Sequence, residues 1–240
     1  MIPLQDLNPR RRFPFATYGL IVANVLIFLW ELSFSERELQ QIFETLSVVP
    51  AQVTPAPFSI ATLADMVRSM FFHGGWSHLL GNMLYLYLFG DNLEDRLGIP
   101  LYLLLYLFSG FAAGYTQVMI DPQSQIPLVG ASGAISGVLG GYLVLFPHVE
   151  VRGIIPIGYY FHQVRWPAIA VLGLWFVLQL FNAVFSLGDV AGEGGVAFFA
   201  HVGGFVAGAA LVWFLTRMVP QPPAEARRAM LYERANRYPY

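Results

Sequence analysis

An all-α membrane protein, a bundle of six transmembrane helices with both termini cytoplasmic, is the fold class this sequence predicts. Three observations predict it. Of 240 residues, 56% are hydrophobic and only 12% charged, against roughly a quarter charged in an average soluble domain. Six apolar stretches free of Asp, Glu and Arg give spans at about 13–30, 69–90, 97–120, 128–147, 166–188 and 194–216. Each can hold the ~17–25 residues a helix needs to cross ~30 Å of hydrocarbon. The third observation is the placement of the basic residues, all thirteen of them arginine. A cytoplasmic N-terminus puts Arg10, Arg11, Arg12, Arg96, Arg152, Arg165, Arg217, Arg227, Arg228, Arg234 and Arg237 inside, and leaves only Arg37 and Arg68 outside. Positive charge collects on the cytoplasmic side.

Each element follows from these runs. Residues 1–12 are a cytoplasmic N-terminal segment. The first apolar run is longer than the ~7–15-residue core of a signal peptide and is read as a span. The runs are continuously apolar rather than alternating, so helices, not barrel strands, satisfy their backbone groups in lipid. Residues 36–68 form a long outer loop with Pro50, Pro55 and Pro57 beside apolar Val48, Val49, Phe58 and Ile60, expected to pack or lie at the interface. The last outer loop, 188–195, is glycine-rich and conformationally cheap to move. Residues 219–240 are a cytoplasmic tail opening on Pro220, Pro222 and Pro223.

Polar side chains within spans are costly and mark function when they converge. In this topology the second, fourth and sixth spans all begin at the outer face. The second carries His78 and Asn82, four residues apart and so on one helix face. The fourth carries Ser132 early, and the sixth carries His201 early. A hydroxyl, two imidazoles and an amide thus lie at one depth. A serine hydroxyl attacks only when a neighbouring base takes its proton, and His201 is such a base. Asn82, His78 and the backbone N–H of Ser132, at the positive end of its helix, are donors for an oxyanion. No carboxylate falls at the depth of His201, since Glu94 lies about 18 Å deeper than Asn82. The reading is a Ser–His dyad.

The motifs His73-Gly74-Gly75-Trp76-Ser77-His78-Leu79-Leu80-Gly81-Asn82-Met83, Gly130-Ala131-Ser132-Gly133 and Ala200-His201-Val202-Gly203-Gly204 resemble those of the rhomboid intramembrane serine proteases. The resemblance covers residues 70 to 210. It implies a six-helix rhomboid protease domain over 13–218 with an outward-opening polar cavity, and cleavage of single-span membrane proteins near the outer boundary. On matching positions it implies Ser132 as nucleophile, His201 as base, His78 and Asn82 as oxyanion donors, Gly130 and Gly133 as supporting residues, and Glu94 as a structural acid. Transmembrane protein substrates and membrane lipid are the implied partners, in a cell membrane and foremost a bacterial inner membrane. Two departures stand out. Many members carry an aromatic four residues after the nucleophile, packed on the histidine, where this chain has Ser136. Many also carry a Trp-Arg pair in the first outer loop, and 36–68 has no tryptophan.

Other readings are weaker. Gly133-x3-Gly137-x3-Gly141 and Gly204-x3-Gly208 are ridges for close helix packing, on which Ser132 alone would be one more small residue. His73, His148 and His162 read as ordinary bundle or loop residues. A metal site is not expected: His73 and His78 are five apart, and no His-Glu-x-x-His occurs. No cofactor is expected. Neither a cysteine nor a dense basic face is present, which argues against thiolate chemistry and nucleic-acid binding. The rival function is a catalytically inactive protein of the same fold that binds membrane proteins.

Overall fold

The computed structural model describes residues 1–187 and 197–218. Its elements run β1 (Ile2–Asp6), α1 (Phe15–Glu31), α2 (Glu36–Leu46), α3 (Pro50–Val53), α4 (Ile60–Ser69), α5 (Trp76–Leu97), α6 (Ile99–Ile120), α7 (Ser132–Leu145), β2 (Glu150–Ile157), β3 (Tyr160–Pro167), α8 (Ala168–Ser186) and α9 (Phe198–Met218). The fold is mostly helical. Among the described residues, α6, α8 and α9 are long and apolar enough to cross a membrane, and α1 and α7 are shorter apolar helices. The glycine-rich loop 188–195 and the tail 219–240 lie outside the described residues.

The expectation of an all-α fold is corrected by a three-stranded antiparallel sheet in the order β1-β2-β3. Residues 1–12 are therefore not a plain leading segment: Ile2 and Pro3 pair with Ile154 and Gly153. The β2–β3 hairpin turns on Gly158 and Tyr159. Gly158 has φ +59°, and among the described residues none other than glycine has positive φ, which is the pattern of a two-residue hairpin turn with glycine first. The end of β1 is locked to the helices. Buried Asp6 accepts hydrogen bonds from Tyr142 Oη at 2.9 Å and Asn92 Nδ2 at 2.8 Å.

A second correction concerns α5. Where a span was expected over 69–90, the helix starts at Trp76, because His73-Gly74-Gly75 is loop and Gly75 holds φ +156°. It then continues to Leu97 through Asp91, Glu94, Asp95 and Arg96. The acids are matched by the chain leading into α1. Arg10 pairs with Asp91 at 2.8 Å, and Arg11 and the Arg12 N–H bond Asp95 at 3.4 and 3.1 Å. Glu94, buried, accepts from Ala16 N at 2.9 Å, Thr17 N at 2.7 Å and Thr17 Oγ1 at 2.8 Å. It thus serves the first-turn N–H groups of α1, which have no acceptors within their own helix. Glu94→Ala strands these donors and lowers stability by about 2–4 kcal/mol, to be read as a lower denaturant midpoint in detergent micelles.

The loop 36–68 is largely helical. Val48, Val49, Val53 and Met66 are buried, whereas Phe58 and Ile60 are exposed. Ser35 and Glu38 form a reciprocal capping box at the start of α2. The Ser35 hydroxyl and backbone N–H hold the Glu38 carboxyl below the usual carboxylate range.

Helices α7 and α9 are parallel and pressed backbone to backbone. A Cβ on Gly204 would strike the Gly133 carbonyl, one on Gly208 the Gly137 carbonyl, and one on Gly140 the Phe205 carbonyl. Helix α6 joins them at the same place, where a Cβ on Gly133 would come within 2.6 Å of Ala113 Cβ. Small residues allow this approach. Gly208→Val has no room against a neighbouring backbone and costs at least about 2 kcal/mol, measurable by the same unfolding titration.

Candidate active site

Ser132 is the first residue of α7 and His201 lies in the first turn of α9. The parallel packing of the two helices therefore sets the two side chains beside each other. Ser132 Oγ and His201 Nε2 are hydrogen-bonded at 2.8 Å. The other ring nitrogen, Nδ1, is 2.8 Å from Gln179 Oε1 on α8.

The turn into α7 depends on Gly130, at φ +125°, a region that favours glycine. Its N–H donates to Ser69 O at 2.8 Å, which ties the turn to the end of α4. A Cβ at Gly130 would also lie 2.6 Å from His78 Nε2 and 3.6 Å from Asn82 Nδ2. His78 can therefore approach the backbone just ahead of Ser132 only because position 130 is glycine, whereas Asn82 sits at ordinary contact distance.

Asn82 is held from behind. Its Nδ2 lies 2.9 Å from His73 Nε2, and His73 Nδ1 lies 3.2 Å from Phe71 O. A carbonyl only accepts, so Nδ1 bears the His73 proton and Nε2 accepts from Asn82. The second Asn82 amide proton is left for another acceptor. The His73 backbone N–H donates to the buried Glu31 carboxylate at 3.2 and 3.3 Å. His73, read above as an ordinary bundle residue, is thus a direct partner of a candidate site residue. Its spacing to His78 and Asn82 was the available signal.

His78, Asn82, Ser132, Ser136, Trp175, Gln179 and His201 line one cavity of about 900 Å³. The Ser136 hydroxyl donates to Ser132 O at 2.6 Å. Aromatic neighbours come from elsewhere. The rings of Trp175 on α8 and Phe198 on α9 have centroids 6.1 and 6.4 Å from that of His201. Gln179 and Trp175 were both missed by sequence reasoning. The signal for Gln179 is an amide, one of two with Asn182, in a mostly apolar helix.

A family model for the Rhomboid domain matches residues 61–218. The chain belongs to the rhomboid family. It is 28% identical over 208 residues to Rhomboid protein 1, mitochondrial, of Saccharomyces cerevisiae, covering 84% of this chain and 54% of that protein. It is 25% identical over 207 residues to Rhomboid-like protein 11, chloroplastic, of Arabidopsis thaliana, covering 83% and 65% respectively. A shorter match, 29% over 132 residues, joins it to the Homo sapiens Presenilin-associated rhomboid-like protein, mitochondrial, covering 54% of this chain and 32% of that protein. The chain spans between 54% and 65% of the length of the first two of these relatives. Rhomboids are in general intramembrane serine proteases, and this rhomboid is a membrane protein. The relatives' names refer to mitochondria and a chloroplast and do not support the bacterial inner membrane expected above.

Proposed function

We propose that this rhomboid is an intramembrane serine endopeptidase that cleaves single-span membrane proteins near the outer membrane boundary. The observation that carries the reading is the 2.8 Å hydrogen bond between Ser132 Oγ and His201 Nε2 at the joined starts of α7 and α9. In the proposed topology α1, α5, α6, α7, α8 and α9 cross the bilayer, with both termini cytoplasmic and lipid around the bundle.

In the first step Ser132 Oγ attacks the scissile carbonyl carbon while its proton passes to His201 Nε2. The negative charge that develops on the carbonyl oxygen is met by the Ser132 backbone N–H, the imidazole of His78 and the uncommitted amide proton of Asn82. The C–N bond then breaks, the leaving nitrogen takes the proton from His201, and an ester to Ser132 remains. Water in the cavity attacks that ester with His201 again as base, and the new carboxyl terminus leaves. A substrate helix must unwind locally, because helical carbonyls are engaged in hydrogen bonds. Small or helix-breaking residues at the scissile bond are the expected preference. Tyr85 on α5 faces Trp175 on α8, ring centroids 6.5 Å apart, at a seam through which a substrate could reach the cavity.

The test is to incubate the purified protein in micelles with a panel of single-span substrates and to sequence the products. Cleavage at discrete bonds near the outer end of the span, lost in Ser132→Ala, is the expected result. A panel left intact by the wild type would favour a binding role on the same fold.

A further inference from the structure

The geometry points to Gln179 as the positioning residue of the His201 base, holding the imidazole in the tautomer whose Nε2 can receive the Ser132 proton. The inference rests on the reading of Ser132 and His201 as nucleophile and base.

A neutral imidazole carries one ring proton; the nitrogen bearing it donates and the other accepts. A base for Ser132 needs Nε2 bare, and so needs the proton on Nδ1. Gln179 Oε1, 2.8 Å from Nδ1, is an acceptor and nothing else. It therefore selects Nδ1–H. In the other tautomer Nδ1 would meet Oε1 lone pair to lone pair, and Nε2–H would point at Ser132 Oγ with no capacity to take its proton. During the proton transfer Nδ1–H stays in place, and nothing is transferred to Gln179.

In soluble Ser-His sites a buried carboxylate orients the imidazole in this way. The surroundings of Gln179 account for an amide instead. It lies on α8 between Leu178 and Leu180, with Val177 preceding them, and all three side chains are exposed on the outside of the bundle. A carboxylate at such a site is costly in hydrocarbon, whereas an amide presents the same carbonyl acceptor without charge. Gln179 itself is half-buried, and an amide drawn out of water is costly without a partner, so its contact with His201 offsets part of that cost. Trp175, four residues earlier and on the same face of α8, brings its ring to the imidazole. One helix therefore supplies both a packing surface and an acceptor for the histidine.

The experiment is ring-nitrogen NMR on the full chain, labelled with ¹⁵N-histidine in micelles, with kinetics on a single-span substrate. The expected result in the wild type is His201 protonated at Nδ1 and bare at Nε2. Gln179→Met, close in shape but without the acceptor, moves the proton toward Nε2 and lowers kcat by about 10–100-fold, with KM changed by less than about twofold. Gln179→Glu restores the acceptor, the Nδ1–H tautomer and most of kcat. Ser132→Ala leaves the tautomer as in the wild type. A wild-type His201 protonated at Nε2 overturns the proposal, as does a Gln179→Met protein with wild-type tautomer and kcat. If Gln179→Met fails to fold, as judged by circular dichroism, the wild-type tautomer and the Gln179→Glu spectrum decide. If the tautomer is as expected but no substrate is cleaved, the protease reading fails and the assignment of Gln179 stands.

Discussion

Ser132→Ala lowers turnover of a single-span substrate by at least about 10⁴-fold, and His201→Ala does the same within about tenfold. The two side chains share one hydrogen bond and one proton. Removing the hydroxyl removes the atom that forms the acyl bond; removing the imidazole leaves an alcohol that is a weak nucleophile at neutral pH. Because they act as a unit, the double variant is no slower than the worse single variant. Multiplicative losses would mean that the two residues act independently. Folding is not the confounder, since the Ser132 side chain is small and only half-buried. Matching unfolding midpoints for wild type and Ser132→Ala check this.

Asn82→Ala lowers kcat by about 10²–10³-fold with little change in KM. The reason lies in the division of its two amide protons. One is committed to His73 Nε2 at 2.9 Å, which fixes the plane of the amide, and the other is available to an oxyanion. A donor whose orientation is fixed before charge develops costs no reorganisation as the intermediate forms. His73→Phe keeps Asn82 but removes its anchor, so its kcat falls by less than that of Asn82→Ala, and the difference measures the orientation. Equal kcat for wild type and Asn82→Ala in steady-state cleavage would remove Asn82 from the oxyanion site.

Much of the arrangement was readable from residue spacing. Ser132, His201, His78 and Asn82 fall early in three apolar runs, and the structure gathers them on one cavity. The glycine ridges 133/137/141 and 204/208 announced close helix packing, and α7 and α9 meet along them. What escaped has physical causes. The sheet was hidden because a search for long apolar runs passes over residues 150–167, whose signal is local: β-branched and aromatic residues on either side of Gly158-Tyr159. The end of α5 was cut short because charged residues were taken to end a span. Asp91, Glu94 and Asp95 are answered by residues 10–17, some eighty positions earlier, and no local window holds both partners. Gln179 passed unseen because it is polar but uncharged. The aromatic missing at Ser136 has its counterpart in Trp175, which reaches His201 from a different helix.

The central claim is that Ser132 is a nucleophile activated by His201, and covalent labelling tests it most directly. The purified protein in micelles is treated with a serine-directed phosphonate, and the adduct is located by mass spectrometry of proteolytic fragments. The account predicts one adduct per chain, on Ser132, absent in Ser132→Ala and strongly slowed in His201→Ala. No adduct on the folded wild type, or labelling undiminished in Ser132→Ala, contradicts it.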